Sequence, residues 1–255
     1  MKNFGVVLAL VASVLGLCEV AVADDGRATN TTPAFTATIL ASWRSQYVLV
    51  NGFAPHEGTI FIQELTLSHR SGFYADLWNA VSPTGGWSSD GGDEVDYAIG
   101  FARTVGKFAV DAGYTYFDLR DPSLQGANIR DASLRVVFGR GQLRPYVLLD
   151  WLFGTKPQIL EGGFGYRVGV QGTAKKLLFG RDLNANVFVA GHDGEVGRSV
   201  ERLSYGRLIL STSIRVPGGL EVVPTVFAQV SFNNTSGIAR DHVWAEIALA
   251  RSFSW

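Results

Sequence analysis

Along most of this chain apolar side chains fall on every second position, and the last stretch shows the pattern most plainly. Val243, Ala245, Ile247, Leu249, Phe253 and Trp255 hold one parity, while Glu246, Ala248, Ala250, Ser252 and Ser254 hold the other. A period of two is that of a β-strand with one oily face and one small or polar face. The run reaches the final residue and stops on an aromatic. Such a strand suits a barrel closed in lipid, because only helices and closed barrels satisfy every backbone donor and acceptor inside a bilayer.

The same alternation recurs upstream. It predicts strands over 35–48, 59–69, 73–81, 95–103, 108–117, 130–138, 144–153, 163–172, 182–191, 203–216 and 221–231, with 243–255 the twelfth. Links near Arg70, Thr104, Gly139 and Pro217 are short, and those near Val50, Ser82, Asp118, Gly154, His192 and Phe232 are longer and polar. The link near Lys175 is the least clear of the short set. Alternating short and long links, with an even strand count, are expected of an antiparallel up-and-down transmembrane barrel with tight periplasmic turns and longer extracellular loops. Trp43, Tyr47, Tyr97, Tyr116, Trp151, Tyr166, Phe253 and Trp255 lie toward strand ends, where interfacial aromatic girdles belong.

The first residues refine the compartment. Lys2, an apolar core from Phe4 to Leu17, and Ala21-Val22-Ala23 have the order of a secretory signal peptide, so residues 1–23 are expected to be cleaved. A polar periplasmic leader is then expected over 24–34 and an outer-membrane barrel over 35–255. The chain's single cysteine, Cys18, falls inside the signal, which leaves the expected mature chain without thiol chemistry. A formal net charge of −1 gives no basic field to recruit nucleic acid. A hydrophobic content of 47% without a second long apolar run fits lipid-facing residues spread over alternate positions.

Three segments carry a family resemblance: ELTLSHRSGFYADLW (Glu64 to Trp78), GDEVDYAIGFARTVGKFAVDAGYTYFDL (Gly92 to Leu119) and the terminal aromatic strand. They resemble the TorF-type family of porins, small outer-membrane barrels of Gram-negative bacteria. The resemblance implies location and architecture more firmly than a solute. Where that family has arginines at the end of its first strand, this chain has Tyr47-Val48-Leu49-Val50-Asn51-Gly52.

If the oily face meets lipid, the alternate face lines the interior. Its charged members would be Arg44, Glu64, Asp76, Asp96, Asp111, Arg135, Asp150, Arg167, Asp182, Arg207, Arg215 and Glu246. Most are expected to pair across the lumen, and a subset to set ion preference. Gly100, Gly113, Gly165 and Gly169 share the inward parity and would leave space in a narrow channel. The expected function is passive diffusion of ions or small polar solutes, with no enzymatic step, cofactor or metal. Expected partners are outer-membrane lipid and lipopolysaccharide, the barrel-assembly machinery through Val243 to Trp255, and the solutes themselves, with no nucleic acid.

Two other classes remain open. His69 and Ser71 form an H-x-S that could begin a lipase or lipid A deacylase site, but no third orienting group is evident. His192-Asp193 and Asp241-His242 could meet at the outer rim as a metal or base site, with exposed loop residues the simpler expectation. A structural or adhesive barrel would bind through its loops, with Trp87 an aromatic available for contact.

Overall fold

The computed structural model describes residues 33–48, 54, 58–83, 94–120, 126–157, 162–193, 201–232 and 239–255. The expected signal peptide, most of the leader, His56 and Trp87 lie outside the described residues. The strands are β1 (Phe35–Arg44), β2 (Ile60–His69), β3 (Phe73–Val81), β4 (Glu94–Val105), β5 (Phe108–Leu119), β6 (Ile129–Phe138), β7 (Leu143–Gly154), β8 (Gly163–Leu178), β9 (Arg181–Asp193), β10 (Glu201–Ser211), β11 (Ile214–Val216), β12 (Leu220–Ser231) and β13 (His242–Ser254).

Neighbouring strands pair antiparallel throughout, and β1 pairs with β13 to close the ring. Both β10 and the three-residue β11 pair with β12, so together they form one interrupted strand and the ring has twelve staves. The seam is pinned at its end. Phe35 and Trp255 exchange two backbone hydrogen bonds of 3.1 Å, and their rings stack 6.0 Å apart. Short turns lie at the end of the barrel carrying this seam, and the longer connections lie at the other. The short-turn end is the periplasmic one in barrels of this kind.

Closure explains the alternation. Ile39, Trp43, Leu65, Leu77, Ile99, Ile247 and Leu249 are exposed on the outer wall, while Ser42, Arg44, Thr66, Asp76, Asp96, Glu246 and Ala248, of opposite parity, are buried. An apolar outside around a polar inside is the arrangement lipid selects.

The ladders also set tilt and height. Followed from partner to partner around the ring, they return to β1 sixteen residues from their start. With about 4.8 Å between strands and about 3.3 Å per residue, this shear gives a tilt of about 42° and a ring about 25 Å across between backbones. Spread evenly, it brings Trp43, Tyr97, Tyr116, Trp151 and Tyr166 to one height, and Phe35, Phe73, Phe108, Phe138 and Phe253 to a second. The two belts are roughly 20 Å apart, the separation of aromatic girdles flanking hydrocarbon, with Leu249 about midway.

Three details differ from the sequence pattern. β1 ends at Arg44 rather than Val48, because the chain turns inward and buries Tyr47 (4% exposed) and Val48 (1%) inside the barrel. Tyr47 is therefore not a girdle residue. It stacks on Trp78 at 6.1 Å and donates a 3.1 Å hydrogen bond to Glu94 Oε2. β8 runs on to Leu178, well beyond the expected Gly172, and its hairpin turns at Phe179-Gly180. Both turn residues have positive φ, at 49° and 78°, as a type I′ turn requires. Phenylalanine is an unusual residue there, which is why the sequence hides the turn.

Three of the inward glycines, Gly100, Gly113 and Gly169, do not leave open space. Gly100 pairs with Tyr74 and Gly169 with Tyr146. At Gly100 a Cβ would lie 2.3 Å from the Tyr74 ring. At Gly169 it would lie 2.8 Å from the Tyr146 ring and 2.6 Å from both Phe188 Cβ and the Val187 carbonyl oxygen. Each tyrosine crosses its glycine to reach the strand beyond: Tyr74 donates to Asp111 Oδ1 at 3.0 Å, and Tyr146 to Asn186 Oδ1 at 3.0 Å. Gly113 lies under the end of the first bridge, where a Cβ would be 3.1 Å from the Tyr74 oxygen.

Candidate functional site: a charged layer inside the barrel

The shear that aligns the girdles also aligns charges from distant strands. Arg44 on β1, Asp96 on β4, Asp150 on β7, Arg167 on β8 and Arg207 on β10 fall at nearly one height, level with the belt farther from the seam. All five are buried. Glu64, Asp76, Asp111, Arg135 and Glu246 lie within about two turns of the pleat below this ring, about 3.3 Å per residue along tilted strands.

Near the seam at the short-turn end the interior is lined by small hydroxyl side chains. Thr36 and Thr38 are bonded to Ser254 and Ser252 across the seam at 3.1 and 2.9 Å and remain solvent-exposed. At and beyond the ring it fills with bulk: Ile60, Ile62, Trp78, Phe117, Leu119, Ile129, Leu152 and Tyr205 are buried, with Tyr47 and Val48 folded in among them. The buried bulk of the described interior is thus concentrated at and beyond the charged ring, with Val137 and Tyr146 the main buried apolar side chains below it.

The arginines are fixed in two ways. Arg44 and Glu246, adjacent in the β1–β13 ladder, form a buried ion pair with Nη2 and Nε at 2.6 and 2.8 Å from Oε2. Arg167 Nη2 donates to Asp150 Oδ2 at 2.8 Å. Charges this deep persist because each pair offsets much of its desolvation. Arg207 donates Nε and Nη2 to Gln229 Oε1 at 3.0 and 2.5 Å. Its guanidinium lies 5.0 Å from the ring centres of Tyr205 and Trp244 and 5.8 Å from that of Phe188. Arg135 stacks over Tyr146 at 4.8 Å and donates to Gln171. Aromatic faces stabilise such cations when water is scarce.

The carboxylates of β2–β4 are set among one another. The Thr66 hydroxyl lies 2.7 Å from Asp76 Oδ1 and 3.2 Å from Glu64 Oε1. Glu94 and Asp96 lie two positions apart on the inward face of β4, both buried. Glu94 and Asp131, both buried, are absent from the residues expected from sequence. Each shares the parity of a charged neighbour two or four positions on (Asp96, Arg135), a signal the pattern did contain.

Asp182 and Arg215 stand apart from the other ten. Asp182 sits in the protruding β8–β9 hairpin and takes a 2.9 Å bond from Lys175, while Arg215 on β11 pairs with Glu221 at 2.9 Å. All four side chains are substantially exposed, so inward parity at a strand end does not mean an interior position.

The alternative sites take different forms. His69 Nδ1 and Ser71 Oγ do meet at 2.7 Å, yet the Ser71 amide donates to the same nitrogen at 3.2 Å. The ring thus serves the exposed turn and packs on Phe35 at 4.7 Å. His192 is buried (2% exposed) rather than a solvated rim residue, and His242 Nδ1 meets Gln46 Nε2 at 3.2 Å. Among the described residues no group of three or more His, Cys, Asp or Glu could hold a metal ion.

No family model matches the chain, and no curated protein matches it. Solved structures do. The KdgM porin superposes with a TM-score of 0.55 at 10% identity, over 85% of this chain and 99% of that one. The COG4313 outer membrane channel from Pseudomonas putida F1 gives 0.52 at 10% identity, over 90% and 99%. LpxR from Salmonella typhimurium gives 0.48 at 6% identity, over 84% and 99%. At these identities the likeness is one of fold: a twelve-stranded barrel of the outer-membrane type.

Proposed function

We propose that this chain is a porin-like channel of the Gram-negative outer membrane, passing ions or small polar solutes by diffusion without a chemical step. The observation that carries the reading is a closed barrel with an apolar outer belt and a buried, charged interior layer. A wall meant only to be filled has no need of so many desolvated charges at one level. The two better-matching folds belong to a porin and an outer-membrane channel, which agrees with the reading at the level of architecture.

The ten interior residues, Asp96 and Arg207 above all, would line the constriction. Arg44 with Glu246 and Arg167 with Asp150 would hold its shape. In this account residues 1–23 direct export and are removed, and residues 24–34 remain as a periplasmic leader. The terminal strand engages the barrel-assembly machinery, while the outer belt meets lipid and lipopolysaccharide.

Liposomes carrying the refolded mature protein test the reading. Small sugars and amino acids should equilibrate across them, with rates falling steeply as solutes enlarge. Swelling no faster than in protein-free liposomes would overturn it.

A further inference from the structure

The interior charge is divided between two facing walls. On β2–β5 the inward positions carry Glu64, Asp76, Glu94, Asp96 and Asp111, with no lysine or arginine among the described residues. On β7–β12 the buried ionisable side chains of the ring are Arg167 and Arg207, with one carboxylate, Asp150, tied to Arg167. β4 and β10 are six strands apart in either direction round the ring, so Asp96 and Arg207 face each other across its diameter at one height.

A second observation is independent of this charge pattern. Asp76 Oδ2 and Asp96 Oδ1 on the acidic wall, and Trp244 Nε1 beside Arg207, make no hydrogen bond, though each residue is more than nine-tenths buried. With Glu94 Oε1 this makes three unmet acceptors on the acidic wall, while the facing sector holds one unmet donor, the Trp244 N–H, and one unmet acceptor, Asp150 Oδ1, among the described residues.

We propose that this ring is a binding subsite for zwitterionic solutes, with the cationic end toward Asp96 and Asp76 and the anionic end toward Arg207 and the Trp244 N–H. The inference rests on the channel reading and names its substrate class. A singly charged ion meets one attracting and one repelling wall, whereas a zwitterion aligned across the lumen is attracted by both. With about 25 Å between backbones, less the side chains, the walls act as a field rather than a clamp. Coupling to such a field grows with the separation of the solute's charges.

The test is block of ion current through the full mature protein in a planar bilayer by glycine, 6-aminohexanoate, hexanoate and hexylammonium. 6-Aminohexanoate should half-block at about a fivefold lower concentration than any of the other three, about 1 kcal/mol of added coupling. Arg207→Gln should remove that advantage and make hexylammonium the better blocker, and Asp96→Asn should do the same in favour of hexanoate. Should Arg207→Gln not refold, Trp244→Phe keeps the ring and its stacking but removes the donor. It should weaken block by 6-aminohexanoate about threefold, the net worth of one hydrogen bond. Current with blockers ranked by size alone, or by one sign of charge, overturns the subsite and leaves the channel standing. Absence of current overturns both.

Discussion

Asp150 and Asp76 are both buried aspartates on inward positions of the same barrel, in opposite settings. Asp150 is bonded to Arg167 at 2.8 Å, in a sector where arginines rest on aromatic rings and amides. Asp76 shares the Thr66 hydroxyl with Glu64 and faces further carboxylates on β4. The β7–β12 sector therefore gives each cation of the ring a partner, a carboxylate for Arg167 and an amide with aromatic rings for Arg207, which keeps its positive charge. The β2–β5 sector instead holds inward carboxylates with no cation among them in the described residues. A wall that satisfies itself adds rigidity, and one that does not is suited to meeting what passes through.

The same conservative change should accordingly have unlike effects in the two sectors. Asp150→Asn strips Arg167 of its partner and should cost about 3–5 kcal/mol. Asp76→Asn removes one of several like charges and should cost nothing or stabilise. Urea midpoints of the refolded barrel in vesicles, followed by tryptophan fluorescence, read both. Equal losses would erase the distinction between the walls.

The outer face, with no partners for charge, sharpens the contrast. Leu249→Arg, midway between the girdles, should cost about 2–4 kcal/mol in the same assay. A negligible change would mean the register or the depth is wrong. Steric bridges differ between sectors as well. Gly169→Ala should cost about 1–3 kcal/mol, because its Cβ would meet a backbone carbonyl that cannot swing away. Gly100→Ala should cost less, since the tip of the Tyr74 ring can move, and the Tyr74–Asp111 bond is what it loses. At the small end of the scale, Arg215→Ala should leave the midpoint unchanged, because its pair with Glu221 is solvated.

Much of this fold was legible in the sequence, because a strand buried on one side and lipid-exposed on the other writes its period into every second residue. Each of the twelve staves overlaps a stretch that the alternation predicted, including the closing strand His242–Ser254, although β1 ends sooner and β8 later than expected. Alternation could not say where a strand leaves the wall: Tyr47 and Val48 continue the pattern of β1 while turning into the interior. Nor could it see that tyrosines two strands from their hydrogen-bond partners would occupy the room above Gly100 and Gly169.

For ten of the twelve candidate residues parity identified the side the side chain faces, but not its height. The common level of Arg44, Asp96, Asp150, Arg167 and Arg207 is a property of the shear, which belongs to the whole ring and to no single strand. For the same reason Asp182 and Arg215 could not be separated in advance from their interior counterparts. Exposed hairpin ends continue the period of the wall they extend.

Single-channel recording of the refolded mature protein in a planar bilayer tests the central claim most directly. Discrete, reproducible conductance steps are expected, small in size because the ring and the bulk beyond it constrict the lumen. A barrel shown to be folded and inserted, yet silent at every applied voltage, would contradict the account.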